Sequence, residues 1–152
     1  MSLSGLSQIN VELSAKCFKR TLCSFCFHQQ STSLTFGDMN FELLRSIRNE
    51  LEPGSLTIQF HRDGDPLSYQ QLGPALDLFS GFIRSIVTHG ETLHERADEL
   101  IDRCESITVS VFESDPDADM QFESVAKFLE LKGTRLPRVL IKVVGVCNVA
   151  RY

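Results

Sequence analysis

The fold is constrained most by an alternation of strand-length and helix-length segments that repeats along the chain. Short apolar runs have the pattern of strands, and the segments between them carry apolar residues at the three- and four-residue spacing of helices. The predicted strands are Ile9–Leu13, Ser55–Phe60, Ile83–Val87, Ile107–Val111 and Val139–Val146, and the predicted helices are Phe41–Leu51, Leu72–Phe79, Leu93–Ile101 and Phe122–Leu129. This alternation predicts an α/β fold with a parallel sheet and right-handed crossovers. We expect a parallel-stranded partial (βα) barrel of about five βα units.

The helix boundaries are predicted from residues that start and stop helices. Asp38 is expected to cap the first helix, and Pro53-Gly54 follows as its stop signal. Gly133 is expected to end the last helix.

The fifth strand raises a question about how the sheet is completed. Residues Val139–Val144 are nearly continuously apolar, as expected of a strand that is covered on both faces, yet the sequence stops at Tyr152. We therefore expect residues 1–152 to be one domain that is a fragment, a truncated protein or a subunit completed by a partner chain. The alternative is an open sheet of five strands with the fifth strand in its middle.

Composition limits the class of protein. With 152 residues, 42% of them hydrophobic, the chain has enough apolar material for one domain with one core. The net charge of −5 and the scattered cations argue against a nucleic-acid partner or an anionic membrane surface. No run approaches the roughly 18 apolar residues of a membrane span, and the N-terminus lacks the pattern of a signal peptide. We expect a cytoplasmic protein.

Three of the five cysteines lie within ten residues, directly after the first strand: Cys17, Cys23 and Cys26. In the reducing cytosol such a group is typical of metal ligands rather than disulfides. Three thiolates can hold a [4Fe–4S] cluster and leave its fourth iron open to another ligand. The alternative is a structural zinc ion bound by the three cysteines and His28. Cys104 and Cys147 are expected to be buried as small apolar residues.

The loops that follow the strands are expected to meet, because the carboxyl ends of parallel strands lie at one edge of a sheet. These loops are Cys17–Cys26, Arg62–Leu67, Thr88–Thr92, Glu113–Asp119 and Gly145–Asn148. The cysteines would then lie beside the Asp-Gly-Asp-Pro segment of residues 63–66.

In these features the sequence resembles the radical S-adenosylmethionine enzymes. The cysteine triplet follows strand one with Phe25 before its last cysteine, residues 63–67 follow strand two, residues 88–90 follow strand three, and Gly145 follows strand five. The resemblance implies cluster ligation by Cys17, Cys23 and Cys26. It also implies cofactor binding by Phe25, Asp63, Gly64, Asp65, Pro66, Ser110, Glu113 and Gly145.

The resemblance implies a role for each group. S-adenosylmethionine would chelate the fourth iron, with Phe25 and the backbone near Gly145 against its adenine. The Gly64–Pro66 segment would receive the methionyl ammonium through backbone carbonyls and Asp65. Ser110 or Glu113 would touch the ribose or the carboxylate.

The implied reaction is reductive cleavage of S-adenosylmethionine to a 5′-deoxyadenosyl radical, which abstracts hydrogen from a small-molecule or peptide substrate. Such an oxidoreductase, transferase or lyase takes electrons from a donor such as flavodoxin or ferredoxin. The chain departs from the family in having five residues between its first two cysteines, Asp-Gly-Asp in place of Gly-Gly-Glu, and five βα units rather than six. The alternative is a non-catalytic βα binding module with structural zinc.

Other polar residues have local interpretations, and the sequence identifies no catalytic residue. His61 and Arg62 would either contact substrate or cofactor or form a solvated pair at the rim. His89 and His94 are predicted to have capping or surface roles. The acidic run 115–119 is predicted to form a turn and a helix start.

Overall fold

The computed structural model of the chain describes residues 5–17, 36–112, 115–145, 150 and 152. Within these residues, five strands form one sheet in the order β1-β2-β3-β4-β5, and every neighbouring pair is parallel. The strands are β1 (Gln8–Val11), β2 (Thr57–Phe60), β3 (Ile83–Thr88), β4 (Ser106–Phe112) and β5 (Arg138–Val144). The predicted α/β fold class with a parallel sheet is confirmed.

The described helices connect successive strands. They are α1 (Phe41–Asn49), α2 (Leu72–Leu78), α3 (Ala97–Leu100) and α4 (Ala118–Lys132), with 3₁₀ turns at Pro66–Ser68 and His94–Arg96. The predicted third helix is thus divided into a 3₁₀ turn and one short α-helix. None of the described helices has both the length and the apolar character needed to cross a membrane.

The hydrophobic core lies between the helices and one face of the sheet. Ile58, Phe60, Ile86, Ile107 and Val109 point into a buried cluster that also contains side chains of α1, α2, α3 and α4. Crossovers of one hand between strands in sequence order place their helices on the same side of a sheet. We call this side the helix face, and the opposite side, to which alternate strand residues point, the open face.

Within the described residues, the fifth strand lies at the edge of the sheet. Leu140 is 52% exposed and Val143 is 44% exposed, while Val139 and Ile141 pack against the core. The alternative of an open sheet with the fifth strand in its middle is therefore wrong, while the expectation that a missing part of the protein or a partner chain completes the sheet stays a prediction. The alternative is wrong because strand order follows sequence order, so the last described strand has a neighbour only on its β4 side.

The cap of α1 also differs from the prediction. The side chain of Asn40, not that of Asp38, accepts hydrogen bonds from the backbone of Glu42 and Leu43, at 2.8 and 3.3 Å. Asp38 lies two residues too early and binds other partners. Gly133 follows the last residue of α4, as predicted.

Candidate cofactor site

The segment that carries the clustered cysteines begins and ends at one short backbone ladder. The amide of Ala15 donates to the carbonyl of Gly37 at 2.9 Å, and the amide of Met39 donates to the carbonyl of Leu13 at 2.8 Å. The chain therefore leaves β1 and returns toward α1 at the same place. We call residues 13–16 and 37–39 the neck of the cysteine segment.

Side chains reinforce the neck. The hydroxyl of Ser14 donates to Asp38 Oδ1 at 2.8 Å, and the ammonium of Lys16 lies 2.9 Å from Asp38 Oδ2. Partial burial alone would raise the pKa of Asp38, but the contacts with Lys16 and Ser14 outweigh it and lower that pKa. Asp38 is thus ionised, and it joins the two segments of the neck, residues 13–16 and 37–39. These contacts explain why it does not cap α1.

The loop after β2 is hydrogen-bonded to the same neck. The amide of Asp65 donates to the carbonyl of Lys16 at 2.8 Å. Glu12 Oε1 accepts from the amides of Asp63 and Gly64 at 3.1 and 3.2 Å. The structure therefore brings the residue before Cys17 against the Asp-Gly-Asp-Pro segment, although about fifty positions separate them in the sequence.

Glycine at position 64 is required by this close approach. A Cβ atom there would lie 2.0 Å from the carbonyl oxygen of Ser14 and 2.7 Å from the backbone of Ala15. These neighbours are backbone atoms of the neck, which cannot rotate away as a flexible side chain can. The sequence Asp-Gly-Asp is thus explained in part by packing.

The carboxylate of Asp65 is buried and fully engaged by the chain. Its side chain is only 3% exposed. Thr88 Oγ1 lies 2.9 and 2.7 Å from its two oxygens, the amide of His89 donates to Oδ2 at 3.1 Å, and the amide of Leu67 donates to Oδ1 at 2.8 Å. His89 Nδ1 also contacts Oδ2. One side chain therefore joins the carboxyl ends of β2 and β3.

The electrostatics of Asp65 follow from these partners. Burial would raise the pKa of this carboxyl group, but the hydrogen bond and the charge of His89, together with Thr88 and Leu67, hold the pKa below its ordinary value. A buried carboxylate with this many donors stays ionised. The predicted direct contact between Asp65 and a ligand ammonium stays a prediction, and the carboxylate's contacts within the chain are structural.

His89 is buried, so its predicted capping or surface role is wrong. It lies between two carboxylates, because Nδ1 contacts Asp65 while Nε2 lies 3.5 Å from Glu91. The partner of His89 is 24 positions away in sequence, which is why local reasoning failed. The available signal was its position at the carboxyl end of β3, next to the loop that follows β2.

Gln121 connects the carboxyl ends of two neighbouring strands, a role that was not predicted from the sequence. This side chain is completely buried in α4, and its Nε2 donates to the carbonyls of His89 and Ser110 at 2.5 and 2.8 Å. Its Oε1 accepts from the hydroxyl of Tyr152 at 2.7 Å. Gln121 therefore ties the carboxyl ends of β3 and β4 together.

A second set of contacts supports the turn that follows Asp65. Arg96 donates to the carbonyls of Leu67 and Tyr69 at 2.8 and 2.9 Å, and Glu99 pairs with Arg96 at 2.6 Å. The hydroxyl of Tyr69 donates to the carbonyl of Met39, at 3.0 Å, just beyond Asp38. The β2 loop is thus held from both sides by fixed donors.

The described site residues lie at the carboxyl end of the sheet. Cys17 is half-buried, Pro66 begins the 3₁₀ turn after Asp65, Ser110 is buried on the open face, and Gly145 follows β5 with φ 83°. The other predicted ligands and contacts fall outside the described residues: Cys23, Phe25, Cys26, His28 and Glu113. The roles assigned to all these residues stay predictions.

Two local predictions have definite outcomes. Asp115, Asp117 and Asp119 form the turn and first turn of α4, as predicted, and a carboxylate oxygen from each of Glu91, Asp115 and Asp117 lies within 4.8 Å of the others. Such acidic groups are common without a cation.

Cys104 is buried, as predicted, and burial raises the pKa of its thiol to about 12.

His94 is half-buried rather than on the surface. Its backbone amide and its Nδ1 lie 3.3 and 2.9 Å from the hydroxyl of Ser124 in α4. His94 therefore joins the second 3₁₀ turn to α4, and the predicted surface role is wrong.

Comparison with known proteins gives a structural relative and no sequence relative. No protein-family model and no curated protein matches the chain. The solved structure of BtrN in complex with AdoMet and 2-DOIA is similar, with a TM-score of 0.69 and 20% sequence identity over 91% of this chain. The chain spans 56% of the length of BtrN. At this identity the similarity shows that the two proteins share a fold.

Proposed function

We propose that this chain is a radical S-adenosylmethionine enzyme core that binds a [4Fe–4S] cluster and S-adenosylmethionine. The observation that carries the proposal is the attachment of the cysteine segment's neck to the Asp-Gly-Asp-Pro segment, through Lys16, Glu12 and the close approach at Gly64. The shared fold with BtrN, whose structure contains AdoMet, supports the same assignment.

The donor set fits the cluster. Thiolates are the ligands of iron–sulfur clusters, and three cysteines within ten residues supply three of them. Cys17 lies next to the neck, whose hydrogen bonds hold the first residues of the segment in place. A set of three leaves one iron for an external ligand, whereas structural zinc normally has four protein ligands.

The residues of the β2 loop would bind and orient the methionyl group. The Asp65 carboxylate accepts hydrogen bonds from Thr88 and His89, so it anchors the β2 loop to the carboxyl end of β3. Backbone carbonyls of residues 63–66 would accept from the ammonium, while Ser110 would contact the ribose or carboxylate from β4. The β2 loop is already fixed by hydrogen bonds to Glu12, Asp65 and Lys16, so little reorganisation of this loop is needed on binding.

The bound cofactors supply the chemistry. When bound, a reduced cluster and S-adenosylmethionine would supply one-electron cleavage of the sulfonium C–S bond to methionine and a 5′-deoxyadenosyl radical, which would remove a hydrogen atom from substrate. The chain's contribution would be to hold the sulfonium and the cysteine segment next to each other at the carboxyl end of the sheet.

The test is anaerobic reconstitution with iron and sulfide. The wild-type chain should bind iron and sulfide with the absorbance of a [4Fe–4S] cluster, and replacement of Cys17, Cys23 or Cys26 by serine should remove most of it. Cys104→Ala is the matched control, because this thiol is buried in the core away from the neck.

Metal analysis separates the alternative. Stoichiometric zinc without iron, lost on His28→Ala, would favour a binding module with structural zinc. Iron–sulfur content unaffected by His28→Ala supports the radical enzyme. Absence of a cluster with all three cysteines intact would contradict the proposal.

A further inference from the structure

Three consecutive backbone amides of the β2 loop donate to acceptors at the end of β1. The amides of Asp63 and Gly64 both donate to Glu12 Oε1, at 3.1 and 3.2 Å, and the amide of Asp65 donates to the carbonyl of Lys16 at 2.8 Å. Gly64 also packs directly on the neck, because a Cβ atom there would lie 2.0 Å from the carbonyl oxygen of Ser14. The N–H side of this loop therefore faces Glu12 and the neck.

The carbonyl groups of the same peptide units point the other way. The peptide bonds that join residues 62–65 are trans, and in a trans peptide the C=O of one residue is antiparallel to the N–H of the next. The bond from the Gly64 amide to Glu12 thus sets the direction of the Asp63 carbonyl. In the same way, the bond from the Asp65 amide to Lys16 sets the direction of the Gly64 carbonyl.

These two carbonyl oxygens are the acceptors that the loop leaves open. The carbonyls of Asp65 and Pro66 already accept from two amides of the following turn, at 3.0 and 3.1 Å. Those of Asp63 and Gly64 accept no hydrogen bond within the part of the chain that the structure describes. If residues 63–66 bind the methionyl ammonium through their backbone, the carbonyls of Asp63 and Gly64 are its acceptors.

Of the two carboxylates that bind this loop, Glu12 is the one that orients these acceptors. Asp65 is only 3% exposed and is turned toward β3, where Thr88 and His89 donate to it. Glu12 directly follows β1 and lies on the N–H side of the Asp63–Gly64 peptide. A negative charge on that side also polarises the peptide, which makes its carbonyl oxygen a stronger acceptor.

We propose that Glu12 is a positioning residue for the ammonium group of S-adenosylmethionine. Its carboxylate holds the Asp63–Gly64 peptide in the orientation that presents the Asp63 carbonyl to the ligand, beside the Gly64 carbonyl that Lys16 holds. Glu12 acts through the loop and makes no contact with the ligand itself, since it lies on the opposite side of the peptide. The role rests on the proposed function, which supplies the ligand.

Hydrogen exchange of the loop amides, followed by NMR in the full chain, tests the orientation without any cofactor. In Glu12→Ala the amides of Asp63 and Gly64 should exchange about tenfold faster than in wild type, because their acceptor is lost. Glu12→Gln should keep the slow exchange, since glutamine retains a side-chain carbonyl oxygen at the same reach. The amide of Ile86 in β3 is the internal control for global stability and should be unchanged.

Ligand binding to the anaerobically reconstituted chain tests the role. Two probes are compared, S-adenosylmethionine and the analogue in which hydrogen replaces the α-amino group. Glu12→Ala should weaken binding of S-adenosylmethionine about tenfold and leave binding of the analogue unchanged, because only the first ligand uses the oriented carbonyls. Glu12→Gln should bind S-adenosylmethionine within about threefold of wild type. Glu130→Ala, an exposed position on α4, is the matched control and should bind both ligands as wild type does.

Three results would overturn the proposal. Equal weakening of both ligands in Glu12→Ala would mean that Glu12 only supports the fold of the loop. A Glu12→Gln variant as weak as Glu12→Ala would mean that the charge acts on the ligand directly. Unchanged exchange of the Asp63 and Gly64 amides in Glu12→Ala would contradict the orienting bonds and leave the proposed function intact. A wild-type chain that binds no S-adenosylmethionine would instead contradict the proposed function, and with it the ligand named for Glu12.

Discussion

Replacing Asp65 by asparagine should destabilise the fold strongly, because the carboxylate serves four donors at once. Asparagine keeps the shape but has only one acceptor oxygen. If that oxygen retains the bond from the Leu67 amide, the new NH₂ group faces the His89 amide, so two donors meet. Hydrogen bonds to a charged group contribute about 1.5–3 kcal/mol each, and breaking a buried ion pair costs about 3–5 kcal/mol.

We therefore expect Asp65→Asn to lower the free energy of unfolding by about 3 kcal/mol. For a chain of this size the corresponding fall in Tm is about 6–12 °C. Circular dichroism during thermal and urea unfolding at neutral pH measures both quantities. Asp77→Asn is the control, since Asp77 is an exposed partner of Arg103 and its loss should change the stability by less than about 1 kcal/mol.

The pH dependence has a definite sign. The pKa of Asp65 in the folded chain lies below its ordinary value of 3.8, so its stabilisation is present above that value and is lost as the pH falls through the lower, folded value. The part of the difference between wild type and Asp65→Asn that comes from the charge of Asp65 should therefore be lost only in acid. A variant as stable as wild type at neutral pH, within about 0.5 kcal/mol, would refute the view that this carboxylate organises the rim.

Three further predictions follow from single contacts. Gly64→Ala should lower the free energy of unfolding, measured by urea titration, by about 1–3 kcal/mol, since its Cβ would lie 2.0 Å from the Ser14 carbonyl oxygen. Gly37→Ala is the control and should be close to neutral, because a Cβ there has nothing within 4 Å. Asn40→Ala should cost about 1 kcal/mol through loss of the α1 cap, and an unchanged midpoint would argue against that cap. Cys104 should resist alkylation in the native chain at mildly alkaline pH and react after unfolding, as measured by mass spectrometry; rapid native labelling would contradict its burial.

The strands and helices were predictable because their signals are local. Apolar periodicity and the Gly133 stop depend on neighbouring residues, and the handedness of crossovers then orders consecutive parallel strands. The exposure of β5 was not predictable in this way. An apolar run such as Val139–Val144 has the same pattern in a central strand and an edge strand, and only the order of the sheet decides between them.

The site was predictable as a set of loops but not as a network. The pairing of Asp65 with His89 and the choice of Asn40 over Asp38 as a cap both depend on partners more than twenty positions away. Gln121 had a local signal that was overlooked. It occupies one stripe of α4 with Ser124, Val125 and Phe128, all buried, so a polar side chain in that stripe indicated a buried hydrogen-bonding role.

The most direct test of the central claim is formation of 5′-deoxyadenosine by the anaerobically reconstituted chain. With S-adenosylmethionine and dithionite, the wild-type chain should release 5′-deoxyadenosine and methionine in equal amounts, and Cys17→Ser should release neither. The Cys104→Ala control should retain the activity. A wild-type chain that carries a complete [4Fe–4S] cluster yet neither binds nor cleaves S-adenosylmethionine would contradict the assignment.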